Sequence, residues 1–119
     1  MIKRGLVVED DMILAMINRK YLEKLGCTVV ASVTSAQAAI EAVKKHSPDF
    51  VLMDIRLDGE VDGITCMEEI RKFSAVPVIY VSGNSEGLVR ERAQASGMLA
   101  FLVKPLDMES LREVLAKLD

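Results

Sequence analysis

The chain has 119 residues, half of them hydrophobic, with no Trp, two Cys and a formal net charge of −3. That length suits a single domain that buries about two-thirds of its unfolded surface without staples. The charge balance argues against direct nucleic-acid binding, and no apolar run is long enough to span a bilayer. Nor does a signal peptide precede "MIKRGLVV". Cys27 and Cys66 are far apart and form no metal-ligand spacing, so both read as small buried hydrophobes in a reducing compartment, the cytoplasm.

In chain order, "GLVV" (5–8) is short and β-branched and reads as a fully buried strand. "DMILAMINRKYLEKLG" follows as a helix, with Ile13, Ile17, Leu22 and Leu25 at helical spacing, an acid at its start and Gly26 at its end. "TVVASV" is a second strand. "TSAQAAIEAVKKH" opens on a Thr34/Gln37 capping-box pattern and ends in basic residues, as the helix dipole favours. "FVLM" (50–53) is a third strand, followed by the loop "DIRLDGEVDG" and the helix "ITCMEEIRKF". "VPVIYV" is a fourth strand, "SGNS" a small-residue loop, and "EGLVRERAQAS" a helix stopped by Gly97. "AFLV" is the fifth strand, "KP" a break, and "MESLREVLAKL" a last helix capped by Asp107.

Five strands thus alternate with five helices. Continuous apolar strands imply a parallel sheet covered on both faces, and right-handed crossovers narrow this to an open, doubly wound α/β sheet. In such sheets the functional crevice lies beyond the carboxyl ends of the strands. Glu9 and Asp10 follow the first strand, Asp54 the third, Ser82 the fourth and Lys104 the fifth; the second ends without an obvious chemical group. If strands 1, 3, 4 and 5 are neighbours, one basin holds three carboxylates, a hydroxyl and an amine. Crowded carboxylates repel by about 4 kcal/mol per close pair at an intermediate effective dielectric. A divalent cation with hard oxygen ligands, Mg²⁺ or Mn²⁺, turns that repulsion into binding. Metal, carboxylate, ammonium and hydroxyl together describe a phosphoryl-transfer site.

Each residue also has a simpler reading. Asp10 and Asp11 as caps of the first helix, Asp54 as a loop residue, Ser82 as a turn residue and Lys104 as a solvated charge are each the commoner outcome singly. Their coincidence at four strand ends is what outweighs those readings. His46, after two lysines at a helix end, reads as a solvated terminal residue, and the scattered Met residues as core filling.

The set "VVEDD", "LMD", "VSG" and "KP", in this order and spacing, resembles the receiver domain of two-component response regulators over essentially the whole chain, 1–119. The resemblance implies a five-stranded parallel sheet, (βα)5 and flavodoxin-like, in order 2-1-3-4-5. It implies a phosphorylation-activated switch in a phosphorelay rather than an enzyme. Asp54 would be the phosphoacceptor. Glu9, Asp10 and Asp54, with the main-chain carbonyl of Arg56, would hold Mg²⁺. Lys104 would pair with the phosphoryl oxygens, and Ser82 and Phe101 would form the switch. The Lys104–Pro105 peptide would be cis. The implied partners are a sensor histidine kinase or histidine phosphotransfer protein, and a downstream protein or fused output domain on the face made by helix 4, strand 5 and helix 5. Arg56 and Asn84 would border the path of the hydrolytic water. The loop after Asp54 is one residue longer than is usual in the family, and the first acid is Glu9 rather than Asp.

Other functions fit less well. A small-molecule phosphohydrolase or phosphotransferase would need a cap segment, and one major phosphatase class starts DxDxT. A flavodoxin-like cofactor binder would need a glycine- or hydroxyl-rich phosphate loop where this chain has acids. A degenerate, docking-only receiver would not need the complete set of acids and lysine.

Overall fold

The computed structural model of the protein describes residues 2–57, 61–83 and 87–118. Its elements alternate strictly: β1 (Arg4–Val8), α1 (Met12–Lys24), β2 (Thr28–Val33), α2 (Ala36–His46), β3 (Phe50–Asp54), α3 (Gly63–Ile70), β4 (Val78–Ser82), α4 (Gly87–Ala95), β5 (Ala100–Val103) and α5 (Met108–Ala116). The strands form one parallel sheet in the order β2-β1-β3-β4-β5, the doubly wound arrangement that the apolar strands predict.

Successive residues of a strand point to opposite faces, and here both faces are dry. Leu6, Val8, Val51, Met53, Val78 and Tyr80 pack with Ile64, Met67 and Ile70 of α3 and with the apolar side of α2. Val7, Phe50, Leu52, Ile79 and Val81 pack on the other face with Leu22 of α1 and Leu111, Val114 and Leu115 of α5. Each such side chain contributes roughly 1.5–3 kcal/mol on full burial. Every residue of β3 and β4 is buried, which is why those strands read as unbroken apolar runs. Cys27 and Cys66 are both buried free thiols, as expected from their isolation.

Three sequence expectations need correction. On α1, Ile13 and Ile17 do not face the core: they are 70% and 39% exposed, while Asn18 and Leu22 are the buried positions. Leu14, Asn18, Tyr21, Leu22 and Leu25 also satisfy a 3.6-residue period, and the polar Asn18 disguised that face. Met12, Ile13, Met16 and Ile17 form an exposed apolar stripe instead. On α2 the cap is Ser35, not Thr34: its hydroxyl accepts from Ala38 N–H at 3.2 Å, while Gln37 reaches Glu41 at 3.3 Å. His46 is the last residue of α2 and is half-buried rather than fully solvated. The Lys104–Pro105 peptide is cis, as the resemblance implies.

Candidate active site at the carboxyl end of the sheet

The sheet order brings four chemically active strand ends together. Asp54 and Ser82 are the last residues of β3 and β4, so the hydrogen-bonded ladder fixes their positions. Lys104 follows β5 and is tied to β4 by its N–H, which donates to the Ser82 carbonyl at 2.9 Å. Glu9 follows β1, and its N–H donates to the Val33 carbonyl of β2 at 3.0 Å.

The side chains converge on Asp54, which is buried. Lys104 Nζ lies 3.0 Å from Asp54 Oδ2 and 3.3 Å from Glu9 Oε1. Glu9, Asp10 and Asp54 each bring a carboxylate oxygen to within 4.8 Å of the others. Asp10 and Asp11, adjacent in sequence, divide their work. Asp11 is the cap of α1, accepting from Ile13 and Leu14 N–H at 2.9 and 3.1 Å, whereas Asp10 joins the acid cluster. The capping reading therefore holds for Asp11 and not for Asp10.

The electrostatics show what the cluster lacks. Glu9 is 2% exposed, and burial, then its contact with the Asp54 carboxylate, push its pKa up to about 8 despite the lysine at 3.3 Å. Burial works against the Lys104 ammonium too, but the hydrogen bond and charge of Asp54, then Glu9, outweigh it and raise its pKa. One lysine shared between two buried acids, with a third acid beside them, leaves a net negative basin. Three hard carboxylate ligands, with room for retained water, fit Mg²⁺. Its charge would favour the ionised form of Glu9 and would offset charge on a phosphoryl group.

A cavity of about 450 Å³ opens over Asp54, lined by Arg56, Asp62, Ser82, Gly83, Val89 and Lys104 among others. Arg56 N–H donates to Asp54 Oδ1 at 3.1 Å, and its side chain is exposed. Asn84 and residues 58–60, the middle of the enlarged loop, lie outside the described residues. Phe101 is already buried in the core cluster, and the Arg90 guanidinium of α4 covers its ring at 5.0 Å from the centroid.

Three polar groups here escaped sequence reading. Asp62 caps α3 and lines the cavity. Arg92 of α4 forks onto Asp62, with Nη1 2.9 Å from Oδ2 and Nη2 3.3 Å from Oδ1. Arg71, the C-cap residue of α3, donates to the carbonyls of Ser96 and Gly97 at the end of α4, both at 3.1 Å, and to Val76 at 2.6 Å. The "DG" before α3 signalled a cap, but nothing local pairs residues 25 to 30 positions apart.

Comparisons with known proteins agree with this geometry. The sequence profile of the response regulator receiver domain matches residues 6–116. The chain is 35% identical over 119 residues to the chemotaxis protein CheY of Bacillus subtilis, covering 98% of each. It is 31% identical over 109 residues to the transcriptional regulatory protein PdtaR of Mycobacterium tuberculosis, covering 92% of this chain but only 53% of that protein. The chain thus spans about half the length of PdtaR and nearly all of CheY. A CheY-like receiver from Methylobacillus flagellatus superposes with a TM-score of 0.87 at 26% identity, covering the whole of both chains. Among the described residues, no helix is long and apolar enough to cross a membrane. The chain belongs to the response regulator receiver family of two-component signalling, and Glu9, Asp10 and Asp54 are the acid cluster of its Mg²⁺-binding phosphorylation site.

Proposed function

We propose that residues 1–119 act as one receiver unit in which Asp54 accepts a phosphoryl group from a histidine kinase or histidine phosphotransfer protein. The observation that carries this reading is the buried Asp54 carboxylate at the floor of an open cavity, 3.0 Å from the Lys104 ammonium. A carboxylate oxygen of Asp54 attacks phosphorus while the bond from phosphorus to the donor breaks, and the leaving group departs with its electron pair. Lys104, as a compact point charge, offsets charge on the phosphoryl oxygens, and positioning and electrostatics supply most of the acceleration. Glu9, Asp10, Asp54 and the Arg56 carbonyl would hold a Mg²⁺ ion, which would add charge neutralisation.

The new phosphate lies beside Ser82, whose strand leads into α4. Phe101 lies under Arg90 of α4, which supports that ring contact as the route by which a change at Ser82 reaches α4. Leu88 and Val103 stand exposed on the face made by α4, β5 and α5, which supports that face as the one offered to a downstream protein. The apolar stripe Met12, Ile13, Met16 and Ile17 flanks the site and supports docking of the phosphodonor there.

The test is incubation with phosphoramidate and Mg²⁺ followed by intact mass. Wild type gains one phosphoryl group; Asp54→Asn gains none, and chelation of Mg²⁺ suppresses the gain. Equal labelling of wild type and Asp54→Asn would move the acceptor elsewhere.

A further inference from the structure

The cavity that receives the phosphoryl group has a second carboxylate on its wall besides Asp54. Asp62 lines it together with Asp54 and Ser82, yet stands outside the Glu9, Asp10, Asp54 cluster. Asp62 cannot simply swing away. Its Oδ1 accepts from Thr65 N–H at 2.8 Å as the cap of α3. The next residue, Gly63, donates to the Ile55 carbonyl at 2.7 Å and lies so close to the Asp54 carbonyl oxygen that a Cβ would overlap it. The backbone at the head of α3 is therefore locked to the acceptor strand, and the Asp62 charge is locked with it.

An incoming phosphoryl group adds about two negative charges to this space. Lys104 is already shared between Asp54 and Glu9 and offers no charge to Asp62. Arg92 does. Its guanidinium binds both carboxylate oxygens of Asp62 and reaches Thr65 Oγ1 at 3.3 Å. Burial opposes ionisation of Asp62, but the hydrogen bonds from Arg92 and Thr65 prevail and hold its carboxyl below the usual range. Two-point binding to a planar fork fixes orientation as well as charge.

Building on the reading of Asp54 as acceptor, we propose that Arg92 is a positioning residue for phosphoryl uptake. By neutralising Asp62 and holding it against the cap of α3, it keeps the cavity wall from repelling the anionic group that must enter. The residue sits on α4, so the helix that reports the signal also supplies a charge the reaction uses.

The experiment is calorimetric titration with beryllofluoride, an anionic mimic of the phosphoryl group, in the presence of Mg²⁺. Wild type, Arg92→Gln, Arg92→Lys, Asp62→Asn and the Arg92→Gln/Asp62→Asn double variant are compared. Arg92 is half exposed, and Asn caps a helix as well as Asp does, so these proteins fold; melting curves verify it. Arg92→Gln should weaken binding roughly three- to fivefold at low salt, the scale of an exposed ion pair. The deficit should shrink between about 0.05 M and about 0.5 M chloride, because screening does part of the work of the guanidinium. Arg92→Lys should retain most of the affinity. Asp62→Asn should bind at least as tightly as wild type, and the double variant should regain the affinity that Arg92→Gln loses. Wild-type affinity in Arg92→Gln, or a double variant as weak as Arg92→Gln alone, overturns the role of Arg92. A wild type that binds no beryllofluoride instead removes the acceptor reading, and this inference with it.

Discussion

α3 and α4 flank the same cavity but are held by different forces. Five of the eight residues of α3 are buried, and its first residue is jammed against the carbonyl of the acceptor strand. Only Ala93 is buried among the nine residues of α4. What keeps α4 in place is largely polar, and much of it comes from the two ends of α3. Asp62, the N-cap of α3, grips Arg92, and Arg71, its C-cap, grips the carbonyls of Ser96 and Gly97. The buried Tyr80 hydroxyl adds a 2.6 Å bond to Ser96, which itself donates to the Ala93 carbonyl at 2.7 Å. Apolar packing changes steeply with small displacements, whereas a few directional polar contacts can be exchanged at modest cost. A fixed helix beside a loosely moored one is the mechanical arrangement a switch needs, since elements that move are drawn from the less stable end of the structure.

The strongest way to break this contrast is to unseat α3. Gly63→Ala places a methyl group where the Asp54 carbonyl oxygen and the Met53 side chain already stand. Overpacking against backbone has little room to relax, so a loss of about 3 kcal/mol is expected, or roughly 12 °C in Tm for a domain of this size. Phosphorylation of Asp54 should fall with it, because the same displacement reaches the acceptor. A thermal melt and the phosphoramidate assay check both; a variant that melts like wild type would mean that the head of α3 is not rigid.

Removing the far grip should loosen α4 alone. Arg71→Ala strips donors from the Ser96, Gly97 and Val76 carbonyls, a cost of about 2 kcal/mol or roughly 8 °C in Tm. The sharper readout is amide hydrogen exchange. Protection across residues 87–95 should drop more than the global loss of stability explains, while protection across 63–70 should drop only by that global amount. Equal losses in the two helices would erase the distinction drawn between them.

A third effect comes from the acid cluster at the carboxyl end of the sheet. In Mg²⁺-free protein Glu9 holds its proton up to about pH 8 when folded, against an ordinary value of 4.5. Between those values the folded chain binds more protons than the unfolded one, so stability falls as pH rises. The contribution of Glu9 is fully present below about pH 4.5 and is lost as pH passes through 8. Lys104, also raised, contributes below its own ordinary value of 10.5 and does not offset this in the same window. Tm measured with chelator should therefore drop from pH 5 to pH 8. Glu9→Gln should flatten the slope, and saturating Mg²⁺ should do the same by taking the place of the proton. A slope that survives in Glu9→Gln would assign it to another group.

Read alone, the amino-acid order determined the alternation of five strands and five helices, the doubly wound sheet and the strand-end set of Glu9, Asp10, Asp54, Ser82 and Lys104. It could do so because those features are local: strand apolarity, turn residues and the first polar residues after each strand all lie within a few positions of one another. The tertiary structure alone decided the rest. Whether Asp10 or Asp11 capped α1 depended on where β3 placed Asp54, since only one of the two acids can face it. Which side of α1 turned inward depended on the packing of Leu22, with Ala15, Tyr21 and Leu25 beside it, against the sheet, because two apolar stripes competed and the less obvious one fitted. The straps from Arg71 and Arg92 join residues far apart in the chain, and side chains of that reach find partners only once α3 and α4 lie side by side. Short-range spacing encodes the elements and the strand ends; long, flexible cations take their partners from the assembled surface.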